Sequence, residues 1–91
     1  MYCGSVTVQN ISGLHARPAS EFVARAKGFQ SKISIRRMES DKPVGNAKSI
    51  IVLLSMGICQ GESVEITAEG PDEPEAVAEL TALIESGFGE D

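Results

Sequence analysis

The chain has 91 residues, 42% of them hydrophobic and 23% charged, enough to bury one core and too few for two, so residues 1–91 are expected to form a single domain. A formal charge of −5 sets up a repulsive average field toward nucleic acid, and no basic run or aromatic ladder offsets it, which sets nucleic-acid binding aside. The longest apolar run, Ile50 to Leu54, is too short to cross a membrane, and the N-terminus lacks a secretory-signal pattern; a cytoplasmic location without membrane insertion is expected.

Taken in chain order, Ser5 to Gln9 alternates polar and β-branched residues, with Val6 and Val8 on one face, and predicts a short first strand. After the turn-like "NISG", Ala19, Phe22, Val23 and Ala26 recur at helical spacing. They predict an amphipathic helix ended by a left-handed Gly28. "KISIR" from Lys32 predicts a second strand, and the turn chemistry of "ESDKPVGN" leads into a brief third. In "NAKSIIVLLSMG", Asn46 or Ser49 can cap a short helix that Gly57 ends. "SVEITAE" predicts the last strand, with Val64, Ile66 and Ala68 facing one way. The stretch "DEPEAVAELTALIESG" then offers Asp72 as cap, Glu75 to complete a capping box, Pro74 in the first turn and Gly87 as stop. The core stripe of this helix is Ala76, Val77, Leu80, Leu83 and Ile84.

The order is therefore β-α-β-β-α-β-α. Half-polar strands imply a sheet with one wet face, so the fold class is α+β, a two-layer sandwich whose helices cover the other face. Cys3 and Cys59 have no C-x-x-C spacing and are expected as reduced, partly buried thiols; neither a metal nor a cofactor is expected.

The chemistry concentrates in "GLHARPAS", residues 13–20, which holds the one histidine of the chain. Proline in a helix interior costs about 3 kcal/mol and little in the first turn, so Pro18 places the helix start at about His15 to Arg17. With His15 as cap, the amides of Ala16 and Arg17 are unsatisfied first-turn donors and form a seat for an anion. The positive end of the helix and the Arg17 guanidinium both disfavour a second positive charge, which favours a neutral, nucleophilic ring. Once the ring bears a dianionic phosphoryl group, the same donors become favourable partners. Ser20 and Glu21 sit inside the helix with no oxyanion loop beside them, so a Ser-His hydrolase is set aside.

"GLHARPAS", together with "NAKSIIVLLSMG", "QGE" and the C-terminal "ESGFG", resembles the histidine-containing phosphocarrier (HPr) family of the bacterial phosphoenolpyruvate:sugar phosphotransferase system over nearly the whole chain. The resemblance implies an open-faced β-sandwich of four antiparallel strands with three helices on one face. It also implies that His15 takes a phosphoryl group at Nδ1 from phosphorylated enzyme I and passes it to IIA domains of sugar permeases, with Arg17 steadying the group. The protein is then a carrier rather than a turnover enzyme, and a monomer is expected.

In some lineages a dedicated kinase, HPr kinase/phosphorylase, modifies a serine that matches Ser49; the plain alternative is an N-cap. The run Ile50 to Leu54 is too apolar for one buried helix face, and the resemblance places Ile50, Ile51 and Leu54 beside His15, as a docking surface with Ala16 and Ser20. The reversal "RRMESDKPVGN" is a few residues longer than the usual pattern. The rival readings are a nitrogen-branch carrier, a regulatory module acting through phosphorylated Ser49, and a histidine-nucleophile phosphatase, which would need a second acid or base that the sequence does not supply.

Overall fold

The structure, a computed structural model, describes residues 1–38 and 44–89. Four strands, β1 (Tyr2–Thr7), β2 (Lys32–Arg37), β3 (Gly45–Asn46) and β4 (Ser63–Glu69), form one antiparallel sheet in the order β1-β4-β2-β3. Helices α1 (Ala16–Lys27), α2 (Ile50–Met56) and α3 (Glu73–Glu85), with a short 3-10 turn at Gly87–Gly89, complete the expected order. The reversal between β2 and β3 lies largely at residues 39–43, outside the described residues.

Registers such as Val6 opposite Val64 and Ile35 opposite Ile66 put the branched side chains of every long strand on one face. Against that face pack Phe22 and Ala26 of α1, Leu53 of α2, and all five residues predicted for the stripe of α3. The other face is polar, where Arg36 Nε donates to Glu65 Oε1 at 2.9 Å directly across the ladder. Among the described residues, no helix is long and apolar enough to cross a membrane.

Four sequence expectations need correction. Strand β1 starts at Tyr2 rather than Ser5, because its alternation is interrupted where α3 crosses it: a Cβ on Gly4 would stand 2.7 Å from Val77 Cγ1, so no side chain can mark the inward face there. Gly28 is not left-handed; at φ −74° it closes α1 through i to i+3 bonds, Gly28 N donating to Arg25 O and Phe29 N to Ala26 O. Lys48 Nζ donates to Phe29 O at 2.7 Å and finishes that end.

Asp72 stands at the cap position of α3, yet its side chain makes no capping bond and the capping box does not form. Its carboxylate instead accepts from the amides of Gln30 (2.8 Å) and Ser31 (2.9 Å) and from the Ser31 hydroxyl, tying the start of α3 to the start of β2. Those donors, the Ser31 hydroxyl foremost, hold the Asp72 carboxyl below its ordinary range. Glu73 reaches back to accept from Gly70 N at 3.1 Å. Finally, Cys3 and Cys59 are exposed rather than partly buried: Cys3 lies on the exposed edge strand, and Cys59 on the turn that follows α2.

Candidate functional site

The approach to α1 is fixed from outside the helix. Gly13 has φ +63°, and a Cβ there would come within 2.5 Å of the Ile58 carbonyl oxygen, so glycine is required for the loop to lie this close to the segment after α2. Leu14, fully buried, donates its N–H to Ile58 O at 3.0 Å, and Asn10 Nδ2 donates to Gly13 O at 2.9 Å. These contacts deliver His15 to the N-cap position in extended conformation, φ −129° and ψ 163°, half-buried and with its imidazole making no capping hydrogen bond.

The next residue is strained. Ala16 has φ +52°, a region that costs an L-residue about 1–2 kcal/mol, and the first bond of the helix, Ala19 N to His15 O, is long at 3.5 Å. Pro18, buried in the first turn, has no N–H, so the unsatisfied donors of that turn reduce to the amides of Ala16 and Arg17. An open helix start thus stands directly after the histidine.

Arg17 is not idle in this state. Its Nη1 donates to Glu21 Oε2 at 2.7 Å, and its Nη2 donates to the Phe88 carbonyl at 2.7 Å. Sequence reasoning found neither as a partner of Arg17. The i,i+4 spacing of Arg17 and Glu21 could have shown the first. The second joins residues 71 positions apart and depends on the buried, left-handed Phe88 (φ +56°) that turns the chain back after α3.

Of the docking candidates, Ser20 and Ile50 line one shallow groove of about 250 Å³ between α1 and α2, with Val23, Ala24 and Lys27. Ile51 is 77% exposed and Leu54 43% exposed on the outer side of α2, while Leu53 is fully buried; Ala16 is exposed at the start of α1. The seven-residue helix α2 splits its apolar run as its turn dictates. Ser49 caps α2 with its own side chain, its Oγ accepting from Val52 N at 3.3 Å, and Leu53 N donates to Ser49 O at 3.0 Å. Asn46 is not the cap; its Oδ1 accepts from Lys48 N in the preceding turn. Gly57 closes α2 at φ +61°, as its sequence predicts.

The site thus sits on a four-stranded antiparallel sheet backed by three helices, with a histidine at the opened start of the first helix. The family model described as "PTS HPr component phosphorylation site" matches residues 3–86, and the chain belongs to this HPr family of phosphotransferase-system carriers. It is 40% identical over 83 residues to a multiphosphoryl transfer protein of Vibrio cholerae, covering 91% of this chain and 21% of that protein. The chain thus spans about a fifth of the length of that relative and 17% of its Haemophilus influenzae counterpart. It is 38% identical to the phosphocarrier protein NPr of Escherichia coli, covering 96% of this chain and 94% of that protein. Among solved structures, HPr-C-His of Thermoanaerobacter tengcongensis superposes with a TM-score of 0.92 at 46% identity, over 100% of this chain and 99% of that one.

Proposed function

We propose that this chain carries a phosphoryl group on His15, taken from a phosphorylated enzyme I and handed to a IIA-type acceptor. The observation that carries the reading is the open start of α1: an imidazole that caps nothing, followed at once by the Ala16 and Arg17 amides and the Arg17 guanidinium. In the transfer, the lone pair of His15 Nδ1 attacks the phosphorus of the donor's phosphohistidine in line. The new N–P bond forms as the donor's N–P bond breaks and its ring recovers the electron pair, so no proton is gained or lost overall. The loose transition state spreads negative charge over three equatorial oxygens, and the first-turn donors are the groups that stabilise it. The carrier is restored by giving the group to the acceptor, so it is a shuttle and not a turnover enzyme.

Donor and acceptor dock on the face formed by Ala16, Ser20, Ile50, Ile51 and Leu54, where exposed apolar surface on α2 adjoins the groove to α1. Ser49 acts first as a cap; phosphorylation there by an HPr kinase is the second reading, and it would change this docking face while keeping acceptor oxygens over the first amides of α2. The acceptor branch has two readings, sugar permeases or the nitrogen branch; the 46% identity to HPr-C-His supports the first and the 38% identity to NPr over nearly its full length supports the second.

Parallel incubation with phosphoenolpyruvate and either a sugar-branch or a nitrogen-branch enzyme I tests both points. Acid-labile, alkali-stable label is expected on the wild-type chain and not on His15→Ala, and the enzyme that charges it faster assigns the branch. No label from either enzyme would contradict the carrier reading.

A further inference from the structure

The guanidinium of Arg17 has both terminal nitrogens occupied: Nη1 on Glu21 Oε2 and Nη2 on the Phe88 carbonyl, each at 2.7 Å. Arginine grips a phosphoryl group best with two parallel N–H donors. These contacts use two of the five N–H donors and fix the plane of the guanidinium, so a phosphoryl group that draws the guanidinium toward it competes with these partners for the same cation. The two are unequal. Phe88 is only 3% exposed and is held in a left-handed turn between Gly87 and Gly89, so its carbonyl cannot move without disturbing the end of α3. The Glu21 side chain is 36% exposed and stands on the helix surface, where water can replace the arginine when it leaves.

We infer that Glu21 is the resting counter-anion of Arg17, displaced when His15 acquires its phosphoryl group, while the Phe88 carbonyl remains as the pivot about which the guanidinium swings. The inference rests on the carrier reading of His15. A dianionic phosphoryl group outcompetes a monoanionic carboxylate for the same cation, so exchange is favourable in the charged carrier and reverses on discharge. Because the Glu21 contact exists only in the uncharged state, it stabilises that state and makes the phosphorylated carrier a readier donor. Glu21 is thus a positioning residue that sets how tightly the carrier holds its cargo, and the effect is that of an exposed charge pair, about two- to fivefold in equilibrium constant.

The test is a competition for phosphoryl groups. Wild-type protein labelled with ¹⁵N and unlabelled Glu21→Gln are mixed with catalytic enzyme I and limiting phosphoenolpyruvate. The phosphorylated fraction of each is then read by intact-mass spectrometry once the ratio stops changing. Glutamine keeps the length and helix preference of glutamate and removes only the charge. The variant should hold the phosphoryl group about two- to fivefold more than wild type, and the preference should collapse toward unity when Arg17→Ala is compared with Arg17→Ala combined with Glu21→Gln. Equal partition in the first comparison overturns the inference, as does a preference that persists in full without Arg17, since Glu21 would then act by its own charge. If the wild-type chain takes no phosphoryl group at all, the carrier reading fails and this inference with it.

Discussion

The starts of α1 and α2 solve one problem in opposite ways. At α2 the cap is closed: Ser49 Oγ accepts from Val52 N, and the first backbone bond, Leu53 N to Ser49 O, is 3.0 Å. At α1 the cap is left open: the His15 side chain makes no capping bond, Ala16 is forced to φ +52°, and the corresponding bond stretches to 3.5 Å. A serine at position 15 would suit the helix better, and the proposed carrier role of His15 accounts for the stability given up there. Backbone donors consumed by a cap are unavailable to a ligand, and α1 keeps its donors.

Exchanging the features of the two starts separates their roles. The largest effect is expected from His15→Ala, which removes phosphoryl acceptance completely while changing the urea unfolding free energy by no more than about 0.5 kcal/mol, because the ring makes no cap bond to lose. Next comes Arg17→Ala, with a fall on the order of 10²-fold in the single-turnover rate of phosphoryl transfer, the size seen when one transition-state donor is removed. Ile51→Ser, at a side chain that is 77% exposed, should raise the KM for enzyme I about tenfold and leave kcat and stability almost unaltered. Ser49→Ala should show the reverse profile of His15→Ala: charging from enzyme I is preserved, and stability falls by about 1 kcal/mol in urea melts.

The smallest expected effect is on acid stability. Arg37 Nε donates to Glu62 Oε1 at 2.6 Å and its Nη2 donates to Gly57 O, while Cys59 N donates to Glu62 Oε2, tying β2 to the end of α2. The Arg37 hydrogen bond, followed by the Cys59 amide, holds the Glu62 carboxyl below its ordinary range. A folded-state value that is lowered contributes stability in full above the ordinary carboxylate range near about 4, and loses it as pH falls through the lowered value. Glu62→Gln should therefore shrink the gap between the urea midpoints at pH 7 and pH 3, chiefly by lowering the former.

Periodicity in the sequence is sufficient for α1, α3, β2 and β4, since their inward residues carry side chains that repeat at 3.6 or 2, whereas α2, with its unbroken apolar run, is legible from Ser49 and Gly57 at its ends. Periodicity fails where the inward residue is Gly4, whose missing side chain is what admits α3. Asp72 looked like a cap because a cap is a local device, whereas its true partners, Gln30 and Ser31, come from a turn about 40 residues away. The site divides in the same way. His15, Arg17 and Pro18 announce a helix start through their spacing alone, but the left-handed Ala16 arises from how residues 10–14 are held against Ile58. The Phe88 carbonyl reaches Arg17 only after the whole chain has closed.

The most direct test of the central claim is a phosphorus NMR spectrum of the chain, ¹⁵N-labelled at the histidine ring and charged at alkaline pH. A phosphorus signal with one-bond coupling to Nδ1 of His15, lost on acidification, is the expected result. A signal with no ring-nitrogen coupling, as from an acid-stable ester on Ser49, would contradict it.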